Sequence, residues 1–156
     1  MMQRMDNLTS YMQQLAKQDL HPSDLREAFE QTALSFWYYL LDSVCKLQRG
    51  DQWGTRQLFH VTVIPPLIRL LRLEGNAISR WYGYPTAQGI ERALSPERLV
   101  QLNACLPDAA SLKGMADALK NTTQLASEVC SNVTTRYGYV WPQVLAKRVE
   151  IVLTHC

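Results

Sequence analysis

The stretch DLREAFEQTALSFWYYLLDSVCKLQRGD, residues 24–51, decides the fold class. Its apolar residues recur at intervals of three and four, which is the spacing of one face of an α-helix. That face comprises Leu25, Phe29, Thr32, Phe36, Leu40, Val44 and Leu47. Gly50 supplies the left-handed residue that ends many helices, and Asp51 is a predicted N-cap for the next helix. The stretch therefore predicts a long helix, a tight turn and the start of a second helix.

Helical spacing continues in the second helix. Its predicted apolar face comprises Leu58, Val61, Ile64, Ile68 and Leu71. Pro65 and Pro66 interrupt this pattern, because proline has no backbone N–H and its ring meets the carbonyl four residues earlier. The two prolines therefore predict a kink or a break.

Three further helices have recognisable ends. One is predicted to have Ser95 as its N-cap and Pro96 at its first position. A longer helix is predicted to start at Pro107 and Asp108, and to end near Gly138. Its apolar face comprises Leu112, Met115, Leu119, Thr122, Ala126, Val129 and Val133. The last helix is predicted from Pro142.

No segment shows the two-residue alternation of a β-strand beside hairpin turns. The sequence therefore predicts an all-α fold, an antiparallel helical bundle with about five main helices. We interpret residues 1–156 as a single helical bundle domain, with residues 1–22 as a weakly ordered N-terminal helix. The segment WYGYPTAQG, residues 81–89, is the clearest loop, because Gly83, Pro85 and Gly89 interrupt it and three aromatic residues lie within four positions. These aromatic residues are open to two interpretations, packing against the bundle or recognition of a ligand or partner.

Composition excludes several classes of protein. The 156 residues carry a net charge of only +2, which gives no reason to expect binding to nucleic acid or to a membrane surface. No apolar run is long enough to span a membrane, and the N-terminus has no signal-peptide core, so we expect a cytoplasmic protein. The four cysteines include no Cys-x-x-Cys pair for a metal or a redox reaction.

Positive charge gathers around the turn at Gly50. Lys46 and Arg49 lie in the last turn of one predicted helix, and Arg56 and His60 lie four residues apart on the next. The first turn after Asp51 offers N–H groups that favour anions. This corner is open to two interpretations, a binding site for phosphate or a solvated turn with charges matched to the helix dipoles. Arg69 and Arg72 are three residues apart and are interpreted either as a solvated face or as contacts to Glu74 or a partner domain.

Recognisable catalytic motifs are missing. The sequence contains no Gly-rich phosphate loop, no His-Glu-x-x-His, no Gly-x-Ser-x-Gly and no Asp-x-Asp pair. We therefore expect no catalytic residue and no metal ligand in this chain, and no activity of the chain alone.

Several longer strings carry a resemblance. They are FWYYLLDSVCKLQRGDQWGTRQLFHVTVIPPLIRLLRLEGN (36–76), IERALSPERLVQLNACLP (90–107), ALKNTTQLASEVC (118–130) and YVWPQVLAKRVEIVL (139–153). Together they resemble the C-terminal helical domain of bacterial antibiotic nucleotidyltransferases, in particular the lincosamide type related to the aminoglycoside enzymes. The resemblance covers residues 24–153.

The resemblance implies a partner domain. In that family an N-terminal α/β domain with a Gly-Ser motif and paired aspartates holds Mg²⁺, and transfers a nucleotide from a nucleoside triphosphate (NTP) to an antibiotic hydroxyl. The helical bundle closes the cleft, helps to bind both substrates and supports a homodimer. Because this chain lacks the Gly-Ser and Asp-x-Asp elements, we expect Mg²⁺ and NTP to bind only with the missing N-terminal nucleotidyltransferase domain.

The resemblance also gives the corner at Gly50 a role. The cations there are expected to face the triphosphate or pyrophosphate. Polar residues one or two turns earlier are expected to face the hydroxyls and amine of the antibiotic. The resulting candidate binding residues are Tyr38, Tyr39, Asp42, Lys46, Arg49, Arg56 and His60.

Two alternatives remain open. Bundles of this kind resemble prokaryotic toxin–antitoxin ribonucleases, which use an arginine and a histidine with four to six residues between them. Arg148 and His155 have six residues between them and fit that spacing. The other alternative is a non-catalytic interaction bundle for dimerisation or substrate binding.

Overall fold

A computed structural model describes residues 2–17, 22–108 and 110–156. The parts of the expected N-terminal helix at residues 1 and 18–21 lie outside the described residues. The α-helices are α1 (Met2–Lys17), α2 (Leu25–Gln48), α3 (Gln52–Leu58), α4 (Ile64–Glu74), α5 (Ile90–Ala93), α6 (Pro96–Asn103), α7 (Leu112–Tyr137) and α8 (Gln143–Leu153). A π-helical segment, Phe59–Val63, joins α3 to α4, and a 3₁₀ turn covers Ile78–Arg80. No strand occurs in the part of the chain that is described, and the all-α prediction is confirmed.

Helix α2 forms where its spacing predicted. Its N-cap is Asp24, whose carboxylate accepts a hydrogen bond from the N–H of Glu27 at 3.1 Å. The helix ends at Gln48, and Gly50, two residues later, has the predicted left-handed conformation, with φ of +76°. The face turned to the core is fully buried at Phe29, Phe36, Trp37, Leu40 and Val44. The predicted apolar face is thus the buried one.

The two prolines do not break the second helix. Helical backbone continues from Gln52 to Glu74, and the π-helical segment lies directly before Pro65 and Pro66. There the N–H of Ile64 donates to the carbonyl of Phe59, five residues back. The wider turn accommodates two residues that lack N–H donors and whose rings crowd the preceding turn.

The π-helical segment also changes which residues face the core. Thr55, Phe59, Val63, Leu67 and Leu71 are all fully buried, at intervals of four. The prediction placed Val61 on the buried face, and this was wrong, because its side chain is 65% exposed.

The long helix α7 starts later than predicted. Its first residue is Leu112 instead of Pro107 or Asp108, and the N-cap is Ser111. The hydroxyl oxygen of Ser111 accepts from the N–H of Gly114 at 3.0 Å, which satisfies a donor of the first turn. The predicted end at Gly138 is confirmed, with φ of +71°.

Helices α2 and α8 run in the same direction. Near the start of α2, the carboxylate of Glu30 accepts from the N–H of Val140 at 3.3 Å, just before α8. At the other end, the amide of Gln48 donates to the carbonyl of Val152 at 3.2 Å. The two residues are 110 positions apart in the first pair and 104 in the second. Because these separations are similar, the residue later in α2 contacts the residue later in α8, and the two helices are parallel.

Helix α7 runs against α2. Leu112 and Ala116, at its start, line a cavity together with Leu47 at the end of α2. Beyond its other end, the ring of Tyr139 lies 5.9 Å from that of Phe29, near the start of α2. The bundle therefore has parallel as well as antiparallel neighbours.

A charged cluster attaches the connection between α4 and α7 to the bundle. The guanidinium of Arg98, on α6, donates from Nε and Nη2 to the two carboxylate oxygens of Glu74, each at 2.7 Å. It also donates to Glu128 on α7 at 3.0 Å. Arg136 donates to the carbonyl of Glu74 at 2.7 Å. The bonds of Arg98 fix α6 against the end of α4 and against α7, and the bond of Arg136 joins the ends of α7 and α4. A bidentate pair of this kind is among the stronger polar contacts.

We expect Gly50→Ala to lower the free energy of unfolding by about 1–2 kcal/mol, because a Cβ is strained in the left-handed conformation. Nothing lies within 4 Å of a Cβ at this position, so the cost comes from the backbone alone. Urea unfolding measures it. Gly50→Asn is the matched control, since asparagine tolerates the conformation better and should lose less. Equal stability of the wild type and the alanine variant would contradict the role of Gly50.

Candidate functional site

The predicted binding residues lie on and beside the turn between α2 and α3. The carbonyl of Lys46 accepts from the N–H groups of Arg49 and Asp51, each at 3.1 Å. The carboxylate of Asp51 accepts from the N–H of Gly54 at 2.9 Å, so its role as N-cap is confirmed. The hydroxyl of Thr55 donates to the carbonyl of Asp51 at 2.7 Å. These bonds hold the turn in one conformation.

The first turn of α3 is less available to an anion than the sequence suggested. The N–H groups of Gln52, Gly54 and Thr55 already have acceptors in Gly50 and Asp51. A Cβ at position 54 would overlap the carboxylate of Asp51. Since that carboxylate occupies the cap and is itself negative, it opposes a second anion there. The binding capacity of the corner therefore rests on its side chains.

Helix α2 presents three of the predicted residues on one face. Tyr39, Asp42 and Lys46 follow at intervals of three and four, and each is half-buried. Tyr38 lies further round the helix and is 59% exposed. The rings of Tyr38 and Tyr39 meet edge to face with centroids 5.2 Å apart. A phenol, a carboxylate and an ammonium thus share one side of the helix.

The remaining predicted residues lie past the last turn of α2. Arg49 is exposed at the C-cap, Arg56 is half-buried on α3, and His60 is exposed on the π-helical segment. The imidazole of His60 packs edge to face on Phe59, with centroids 5.6 Å apart. Among the residues described, no ion pair joins Asp42 to Lys46 or Arg49.

The corner is partly open to solvent, since Tyr38, Arg49 and His60 are exposed. None of the predicted binding residues lines any of five cavities in the described part of the chain. Ligand sites in single domains are usually concave, with polar groups converging on an enclosed volume. A ligand at this corner therefore needs a second wall to surround it.

Arg69 and Arg72 are not the solvated face that was predicted. Arg72 is only 2% exposed, and its Nη2 donates to the carbonyls of Thr86 at 3.1 Å and Gln88 at 2.7 Å. Arg69 donates to the carbonyl of Trp81 at 3.2 Å. Both guanidiniums therefore hold the loop of residues 81–89 against α4. The sequence contained a sign that Arg72 is buried, because it lies one helical turn after the buried Ile68.

The aromatic loop divides into a buried and an exposed part. Trp81 is buried in the core, while Tyr82 and Tyr84 are exposed. The prediction left packing and recognition open for these residues. Packing accounts for Trp81, and the two tyrosines remain available to solvent.

Metal ligands are not gathered in the described residues. No group of three or more His, Cys, Asp and Glu side chains there is arranged to hold a metal ion. The Mg²⁺ that the resemblance implies therefore has no ligand set on this part of the chain, and we assign it no step here. The same residues include no helix long and apolar enough to cross a membrane.

The arginine and histidine of the ribonuclease alternative are both exposed. Nδ1 of His155 lies 2.8 Å from the carbonyl of Ile151 and 3.2 Å from the hydroxyl of Thr154. No hydrogen bond links it to Arg148 within the described ranges. The pair remains a sequence hypothesis, with no shared geometry to support it.

Neither models of known protein families nor curated proteins match this chain in sequence. The assignment of a function therefore rests on the residues, their geometry and the resemblance stated above.

We expect the cysteines to differ sharply in reactivity. Burial raises the pKa of the Cys130 thiol to about 12, and burial also raises the pKa of Cys105. Because the thiolate is the nucleophile, neither should react in the native protein at pH 8. Cys156 is exposed and should react fast with Ellman's reagent, and the half-buried Cys45 more slowly.

Cys156→Ser is the control for the thiol reaction and should remove the fast phase. Unfolding in urea should expose all four thiols. Rapid modification of Cys105 or Cys130 under native conditions would show that the core opens around them.

Proposed function

We propose that this chain is the substrate-binding helical bundle of a nucleotidyltransferase that transfers a nucleotide from an NTP to an antibiotic hydroxyl. The resemblance over residues 24–153 supports the proposal, and the all-α fold is compatible with it. The catalytic, Mg²⁺-binding step belongs to a separate N-terminal nucleotidyltransferase domain. The chain alone is then inactive.

The open corner at the α2–α3 turn carries the proposal. It collects a carboxylate, a phenol and several cations beside a rigid turn, and none of the five cavities compared in the described part of the chain includes them. Such a surface suits one wall of a cleft whose other wall comes from a second domain. A bundle with a self-contained site would instead place these groups inside a pocket.

The side chains suggest separate roles in binding the nucleotide and the antibiotic. Lys46 and Arg49 stand at the end of α2, where they stabilise the negative charge of a triphosphate or leaving pyrophosphate. Arg56 and His60 extend this positive surface along the next helix. Asp42 accepts hydrogen bonds from an ammonium group of the antibiotic, and Tyr38 and Tyr39 donate to its hydroxyls.

The proposal includes a cytoplasmic homodimer. The stretch Leu67–Leu73 lies almost wholly in the core and offers little apolar area to a partner. Exposed apolar side chains occur instead on α2, at Leu34, and on α8, at Val144 and Ile151. These two helices pack side by side, and we place the dimer contact on them.

Binding of antibiotic to the isolated chain tests the proposal. Amide NMR spectra of the ¹⁵N-labelled protein are recorded during titration with an aminoglycoside and with a lincosamide. The expected result is a set of shifts confined to residues 38–60. The absence of shifts there at millimolar concentrations of either class would overturn it.

Asp42→Asn should weaken aminoglycoside binding about tenfold, because a hydrogen bond to a charged group contributes about 1.5–3 kcal/mol. The titration that detects the shifts gives the affinity. Asp117→Asn is the matched control, since Asp117 is an exposed aspartate on α7 that pairs with Lys113 at 2.7 Å. Equal loss in both variants would indicate a general charge effect instead of a contact at Asp42.

A further inference from the structure

A second polar surface lies at the far end of α4, away from the α2–α3 turn. A cavity of about 480 Å³ opens there between α4, the 3₁₀ turn and α5. It is lined by Arg72, Ala77, Ser79, Arg80, Gln88, Gly89, Arg92 and Ala93. The three arginines come from three different elements, so the fold brings them together.

The charge of this cavity is unbalanced. None of its lining residues is acidic. The carboxylate of Glu74, two residues from Arg72, already binds Arg98 through both oxygens at 2.7 Å. No ion pair of Arg80 or Arg92 occurs within the described residues. Like charges gathered without a counter-charge repel, and a bound anion would relieve that repulsion.

The buried arginine has unused hydrogen-bonding capacity. Two carbonyls occupy Nη2 of Arg72, while its Nε is buried and has no hydrogen-bond partner. Burial lowers the pKa of Arg72, and the neighbouring charge of Arg80 lowers it further. A buried donor without an acceptor is costly, and native structures contain few of them. This donor belongs to a side chain that lines the cavity, so an acceptor bound beside Arg72 is compatible with it.

We propose that this cavity binds the phosphate group of a small phosphorylated molecule. Guanidinium groups present several donors in a plane and match the oxygens of phosphate. Three cations suit a group with more than one negative charge better than they suit a single carboxylate. The volume lies within the range of roughly 300–1,000 Å³ typical of small-molecule sites, so it admits more than the phosphate alone. Ser79 and Gln88 provide polar contacts to the remainder.

The site is independent of the α2–α3 corner. Arg56 and Arg72 lie on one continuous helical rod, and 16 steps of about 1.5 Å separate them by roughly 24 Å. One phosphate cannot contact both surfaces. A variant that loses binding at one site therefore still allows binding at the other site to be measured.

Titration with pyrophosphate tests the proposal, with calorimetry at low salt for affinity and amide NMR for location. Shifts are expected in residues 72–93. Arg80→Gln and Arg92→Gln should each weaken binding about tenfold, since each removes a charged hydrogen-bond donor. Both residues are exposed, so the variants should fold normally. Arg148→Gln, an exposed arginine on α8, is the matched control and should bind as the wild type does.

Several results would overturn the phosphate site. These are the absence of pyrophosphate binding at millimolar concentration, unchanged affinity in both arginine variants, or shifts confined to residues 38–60. Citrate and acetate form the second arm of the experiment. Equal affinity for these carboxylates would show a general anion surface and refute the assignment to phosphate. Inorganic phosphate as a third probe separates recognition of the phosphate from recognition of a second phosphoryl group.

Discussion

The burial of one face of α2 is the constraint on which the other elements depend. Phe29, Phe36, Trp37, Leu40 and Val44 are fully buried along it, and α3, α4, the π-helical segment, α7 and α8 all pack against this helix. Burial of a large apolar side chain contributes about 1.5–3 kcal/mol. The net stability of a domain is only about 5–15 kcal/mol. The free energy gained by burying a few residues of α2 is therefore comparable with the net stability of the whole domain.

The same burial determines where polar chemistry is presented. Because another face of α2 is fixed in the core, the backbone positions of Tyr39, Asp42 and Lys46 are fixed as well. The bonds of Asp51 to Gly54 and Thr55 extend this rigidity around the turn. The backbone of the corner is therefore preorganised, which the proposed role as a binding surface would require.

Local signals in the sequence predicted local structure well. Gly50, Asp51, Ser95 and Gly138 end or begin helices as expected, because capping depends on a residue and its neighbours within one turn. The start of α7 was predicted wrongly because several residues able to begin a helix lie close together. Pro107 and Asp108 precede Ser111, and Ser111 is the residue whose side chain caps the helix.

Contacts between distant segments were beyond sequence reasoning. Arg72 appeared to be one more charge on an exposed face, yet it binds a loop 14 to 16 residues away. The cavity it shares with Arg80 and Arg92 requires the path of that loop. The positions of the residues at the corner of the α2–α3 turn were predictable, because the two helices follow each other directly in the sequence. The position of the corner outside five cavities of the described residues was not predictable, since enclosure depends on every neighbouring element.

The π-helical segment has a consequence for the whole rod from Gln52 to Glu74. In a regular α-helix, a step of four residues advances about 40° beyond a full turn, so a stripe at that interval would drift roughly 160° over the four steps from Thr55 to Leu71. All five residues of the stripe are nevertheless buried. The wide turn compensates for part of this rotational drift. It thereby sets the rotation of the last turns of α4, and with it the side of the bundle to which Arg69 and Arg72 point.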